Sequence, residues 1–240
     1  MTQQTQSFKG IRPAIQESKL LITHEPIYLK DYPEEIIQKV NIIFKLIEEN
    51  PKQAIKELND LANKYPRNPV ILSMLATAYL SIDEQALHDK FRKENYQYNP
   101  KNIFARCEYA KMCLEQERFN EIPAIFNNTF NLELLYPEQT SFNPIEVILF
   151  YTTIGFYFIH SEQFVNAEIC VGILGNMQET NSAAELLAVP LYMALMEKIT
   201  AFLPEDLMDE ENDEDSCDDD DCDDCNDEED DSEESDDIPF

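Results

Sequence analysis

Apolar positions recur at three- and four-residue steps from Glu34 onward. Ile36, Ile37, Val40, Ile43, Phe44 and Ile47 trace one face of an amphipathic helix, which Asn50-Pro51 stops. Ala54, Leu58, Leu61 and Ala62 predict a second helix, closed by Tyr65-Pro66. The same spacing predicts helices over 69–81 and 85–97, the latter stopped by Asn99-Pro100. Two further pairs follow, 103–115 with 119–131 and 145–160 with 163–177. A last apolar helix runs over 183–202 and ends before Pro204. No segment alternates as a strand would, so the expected fold class is all-α. Residues 1–33 lack the pattern. Pro13, Pro26 and Pro33 interrupt them, and Leu20 to Ile22 is too short to assign, so they read as an irregular leader packed along the body. Residues 147–159 carry no charge, but a run of 13 is short of the ~20 residues that cross a bilayer, and Glu146, His160 and Glu162 bracket it. It reads as a buried helix.

Spacing sets the expected architecture. Pro66 and Pro100 stand 34 residues apart, each before a fresh helix. In the unit 69–102, Leu72, Leu75-Ala76, Tyr79 and Pro100 fall at the pattern positions of a 34-residue helix pair, while His88 takes the slot of a small residue. The unit 148–181 matches in Ile154-Gly155, Phe158 and Ala167, with Val171 in the Phe slot and no closing Pro; the unit ending at Pro66 matches in Ala54 and Leu58. The unit from Ile103 keeps Ala110 and Phe126, but has Ile122 in the Ala slot and its Pro late, at Pro137. On these positions residues 35–181 resemble the tetratricopeptide repeat (TPR) family. The resemblance implies a solenoid of about four helical hairpins, with the helix over 183–202 as a cap, because one pair cannot bury its own apolar face. It also implies a concave groove, lined by the first helix of each pair, that binds a segment of another protein.

The groove positions carried over from the family are mostly apolar. They are Val70, Ser73 and Thr77, then Phe104, Cys107 and Lys111, then Leu149, Thr152 and Phe156. The first unit offers Ile36 or Ile37, and Ile43 or Phe44, depending on a frame that looks one residue out. The candidate groove is therefore Ile43, Val70, Thr77, Phe104, Lys111, Leu149 and Phe156, suited to an apolar or amphipathic segment. The family's carboxylate clamp does not carry over. Its slots hold Lys39, Ile43, Met74, Phe104 and Glu108, and only Lys39 fits a site that needs converging cations.

Charge divides the chain. The formal net charge is −30, with 48 acids against 18 bases. Of the acids, 23 lie in residues 205–237, which contain no Lys or Arg, so residues 204–240 are expected to form a disordered polyanionic tail. Direct nucleic-acid binding is not expected from such a balance. The chain's 4 glycines form no phosphate loop, and its 3 histidines are not paired at metal-ligand spacing. No His stands in a nucleophile arrangement with Ser, Cys or Asp, so no catalytic residue and no enzyme activity are expected. Cys107, Cys113 and Cys170 fall on apolar helix faces, as small hydrophobes. In the tail, Cys222-Asp-Asp-Cys225 with Cys217 has the spacing of half a zinc site, but the second half is missing and the carboxylates repel a thiolate. No metal and no cofactor are assigned. The polar residues 1–10 lack a signal core and the thiols read as reduced, which together imply a cytoplasmic protein with no membrane association.

The expectation is thus a non-enzymatic adaptor or chaperone-like protein whose groove holds another protein. A second reading makes the tail the working part, capturing a basic partner or mimicking nucleic acid, with the repeats as scaffold. Residues 1–118 hold 17 of the 18 bases, and Lys90, Arg92, Lys93 and Lys101 form the densest basic patch, a candidate contact for the chain's own tail.

Overall fold

The computed structural model describes Ile15 and residues 20–24, 33–177 and 181–201. The acidic tail, with Cys217, Cys222 and Cys225, lies outside the described residues, as does most of the leader. Among the described residues the fold is all-helical, and consecutive helices pack on one another. The long helices are α1 (Glu34–Glu49), α2 (Pro51–Lys64), α3 (Pro69–Leu80), α4 (Gln85–Tyr98) and α5 (Ile103–Glu115). Two single-turn helices follow, α6 (Ile122–Ile125) and α7 (Leu132–Leu135), and then α8 (Pro144–His160), α9 (Phe164–Gly175) and α10 (Asn181–Thr200).

Asparagine starts helix after helix. The side chains of Asn50, Asn68, Asn102, Asn131 and Asn143 accept backbone N–H bonds at the N-termini of α2, α3, α5, α7 and α8. Proline holds the first helical position of α2, α3 and α8, where its missing N–H has no helical partner to lose. At α8 the cap is reciprocal, since Glu146 accepts from the Asn143 backbone N–H at 2.9 Å.

Three turns between helices share one geometry. Asp83, Glu117 and Glu162 sit in the left-handed region, at φ 59°, 56° and 56°. After each, a backbone N–H reaches back five residues: Glu84 to the Tyr79 carbonyl (3.0 Å), Arg118 to Cys113 (2.8 Å) and Gln163 to Phe158 (2.8 Å). Each left-handed residue also bonds three residues back, to Leu80, Leu114 and Ile159, which completes a Schellman cap after α3, α5 and α8. The α3 and α5 caps are 34 residues apart, as are Asn68 and Asn102.

One predicted helix does not form. The run over 119–131 is divided into a 3₁₀ turn at Phe119–Glu121, the single turn α6, and a left-handed pair, Asn127 and Asn128, at φ 54° and 55°. Pro123 lacks the N–H that a continuing helix would use, and Asn tolerates the left-handed region better than other residues bearing a Cβ. The Asn128 N–H closes back on the Pro123 carbonyl at 2.7 Å, and Asn131 caps α7 instead.

Two apolar cores result. Ile36, Val40, Ile43 and Ile47 of α1 join Leu58 and Leu61 of α2 and Ile71, Met74 and Leu75 of α3. The larger core collects α5, α6, α8, α9 and α10 around Phe126, Phe150, Tyr151, Ile154 and Phe158. Between them lies α4, whose buried residues are all polar: His88, Arg92 and Asn95. Leader residue Ile15 is fully buried in the larger core. Ile22 forms an isolated parallel bridge with Phe142, through Thr23 N–H to Phe142 O (2.9 Å) and Phe142 N–H to Leu21 O (2.8 Å). No helix among the described residues is long and apolar enough to cross a membrane.

Candidate functional site

An apolar cleft of about 360 Å³ opens where four helices converge. Val40 and Met74 form its nearly buried floor, and Val70 and Phe104 its half-buried walls. At the rim, Phe44 and Ile145 are 60% and 51% exposed. The polar lining is Asn41, Ser73 and Asn102, with no charged residue. Two of these are held in place: Ser73 Oγ accepts from Asn95 Nδ2 at 3.0 Å, and Asn102 Oδ1 caps α5 at Ala105 N–H. α1, α3 and α8 each supply lining residues, as do α5 and its cap Asn102. An apolar side chain entering here loses water without meeting a charge to desolvate.

The structure brings together only part of the expected groove. Val70 and Phe104 line the cleft. Ile43 does not: it is 2% exposed and belongs to the α1–α3 core. This corrects the frame of α1 by one residue, about 100° of helix rotation, and puts Phe44 at the cleft instead. Leu149 is also replaced. α8 starts at Pro144, so Ile145 occupies the cleft one turn before Leu149, which is half-buried against the larger core together with Phe156. Thr77 is exposed further along α3 and donates to the Ser73 carbonyl, and Lys111 pairs with Glu108 at 3.2 Å; neither lines the cleft. The described leader residues 20–24 lie against Phe142 and along α9, where residues 20–22 line a separate trough, so none of them lines the cleft.

The basic patch also needs correction. Lys90, Lys93 and Lys101 are exposed, but Arg92 is 2% exposed and fully engaged. Its guanidinium donates to both Glu115 oxygens (2.7 and 3.1 Å), to the Glu108 carbonyl (2.9 Å) and lies 2.9 Å from His88 Nε2. His88 Nδ1 is 2.8 Å from the Ala76 carbonyl, an acceptor, so Nδ1 carries the proton and Nε2 accepts from Arg92. The slots where the repeat pattern has Ala and Phe thus hold a buried polar chain. Arg92 is a joint between α4 and α5, not a surface cation.

Burial raises the thiol pKa of Cys107, Cys113 and Cys170, so these side chains behave as small hydrophobes. Burial likewise raises the Glu146 carboxyl, against the backbone bond from Asn143 and the side-chain bond from Gln139. Among the described residues no group of three His, Cys, Asp or Glu side chains is placed to hold a metal. Comparison of the chain with protein-family models, with curated proteins and with solved structures found no match.

Proposed function

We propose that this chain is a non-enzymatic, TPR-like adaptor of the cytoplasm that holds an apolar or amphipathic segment of another protein in the cleft between α1, α3, α5 and α8. The observation that carries the reading is the convergence of apolar side chains from α1, α3, α5 and α8 on one uncharged cleft, as expected if these are the first helices of successive pairs. The Schellman turns after α3 and α5, 34 residues apart, support the hairpin-repeat reading. The cleft is small, so it takes a few apolar anchors, with Asn41 and Asn102 beside them for the backbone of the bound segment.

Phe44→Glu with Ile145→Glu tests this. Both side chains are exposed, so the fold tolerates the charges, while an apolar anchor at the rim does not. A partner captured by the full chain should be lost with the double variant and kept by a chain ending at Pro204. The 23 tail acids favour one other reading, capture of a basic partner by the tail. Such a partner would survive the double variant and be lost with the tail or in high salt.

A further inference from the structure

The outer face of α10 is apolar, and no described residue covers it. Leu186, Val189, Tyr192, Met193, Met196 and Ile199 are between 39% and 66% exposed. At 100° per residue they occupy one arc, directly opposite the buried Leu187 and Leu191 that seat α10 on α8 and α9. A surface helix is expected to turn charge outward; from Leu186 to Met196 this one has none on any side. The terminal element of a helical stack normally has a polar outer face. α10 does not, and its neighbours show what is missing. α5 rests on α3 and α4 much as α10 rests on α8 and α9, but α5 is packed in turn by the next long helix, α8, whereas no further helix follows α10 among the described residues.

The occupant's chemistry can be read from charge. The sequence after Pro204 supplies no helical apolar stripe: between Glu205 and Asp237 its large apolar residues are Leu207 and Met208. A second copy is disfavoured, because Glu185 and Glu197 bracket the apolar arc. An antiparallel pairing that matches Leu186 with Met196 and Val189 with Met193 sets Glu185 against Glu197, and a parallel pairing sets each against itself. Each copy would also bring a net charge of −30. Lys198 does not relieve this, since it pairs with Glu162 at 2.7 Å on the inner side. Six neighbouring large apolar side chains, each 39–66% exposed, form an open patch on the order of several hundred Å², the size at which exposed apolar patches mark interaction sites.

We infer that the outer face of α10 docks one amphipathic helix of another protein, with an apolar stripe of about three to four turns and Lys or Arg at both ends facing Glu185 and Glu197. The site is separate from the cleft and does not rest on it. Three synthetic helical peptides test the idea against the full chain: a Leu stripe with Lys at both ends, the same stripe with Glu at both ends, and the Lys peptide with Ser in place of Leu. The last reports attraction to the acidic chain alone. The first should bind one to one, about tenfold more tightly than either of the others. Val189→Glu with Met193→Glu, checked for an unchanged helical signal, should remove that advantage without weakening Ser-peptide binding, which charge alone sets. Glu185→Gln with Glu197→Gln should narrow the gap between the Lys and Glu peptides. Equal binding of the Lys and Glu peptides, or an advantage that survives Val189→Glu with Met193→Glu, would overturn the proposal. So would a dimer in sedimentation that the same double variant dissociates, which would make a second copy the occupant.

Discussion

Arg92 and Glu115 join α4 to α5 by a two-point contact, Nη1 to Oε2 at 2.7 Å and Nη2 to Oε1 at 3.1 Å. The pair is lopsided. The Arg92 side chain is 1% exposed and the Glu115 side chain 54%, so the carboxylate remains hydrated while the guanidinium is withdrawn from water. The parallel fork matches carboxylate geometry, and Nε is left free to bond the Glu108 carbonyl.

Arg92→Met should therefore lower stability by about 2–4 kcal/mol, below the usual figure for a broken buried pair, because Glu115 can rehydrate. Arg92→Lys should recover little, since an ammonium cannot reach Glu115, Glu108 and His88 together. Glu115→Gln keeps one bond and should lose about 1 kcal/mol. Urea unfolding of the three variants separates these outcomes; equal losses for Arg92→Met and Glu115→Gln would contradict the lopsided assignment.

Gly155 is the point where α10 meets α8. A Cβ built there would collide with the Leu187 side chain, which is fully buried. Gly155→Ala gains about 1 kcal/mol of helix propensity but overpacks the site by about 1–3 kcal/mol, for a net loss near 1 kcal/mol. Leu187→Ala alone leaves a cavity and should lose about 2–5 kcal/mol. The double variant should be more stable than the sum of the two losses implies, because the new methyl fills part of that cavity. Strict additivity would mean that the two residues do not touch.

Glu146 gives a pH test. Burial raises its carboxyl in the folded chain, so the folded state takes up the proton more readily than the unfolded one. That contribution is fully present below the unfolded value near 4.5 and is lost as pH rises through the folded value. Glu146→Gln retains the capping bond and removes the buried charge. Its melting temperature relative to the parent chain should rise as pH is raised above about 4.5, and an unchanged difference would place Glu146 in water.

Cys107, Cys113 and Cys170 should resist alkylation in the native state and react on unfolding. In a chain with Cys217, Cys222 and Cys225 changed to Ser, a thiol reagent at neutral pH should label fewer than one site per molecule before urea is added and three after it. Rapid native labelling would show that the helices open locally.

Helix positions were legible in the sequence wherever Asn-Pro or Tyr-Pro punctuates an apolar period, as at Asn50-Pro51, Tyr65-Pro66 and Asn99-Pro100. The exception was 119–131, whose apolar spacing continued through residues that the backbone could not keep helical; Pro123 and the Asn127-Asn128 pair were the available warning. The cleft was half legible. Val70 and Phe104 follow from the repeat frame, but a one-residue frame error in α1 exchanged Ile43 for Phe44, and a last unit framed from residue 148 put the groove at Leu149, one turn past Ile145, although the helix itself was expected from 145. Arg92 was misplaced for a different reason. A basic cluster on a helix normally faces water, and the acid that draws Arg92 inward, Glu115, is 23 positions away.

The Ile22–Phe142 bridge ties together residues 120 positions apart, in a chain where most helices touch only those nearby in sequence. Contacts between adjacent helices close short loops, whereas this one closes a loop that runs from the leader to the start of α8. The bridge thus carries a larger loop-closure cost than the contacts between adjacent helices, and it holds only while both ends of that stretch stay in place. Its two amide protons, Thr23 N–H and Phe142 N–H, make a built-in gauge of whether that stretch is intact.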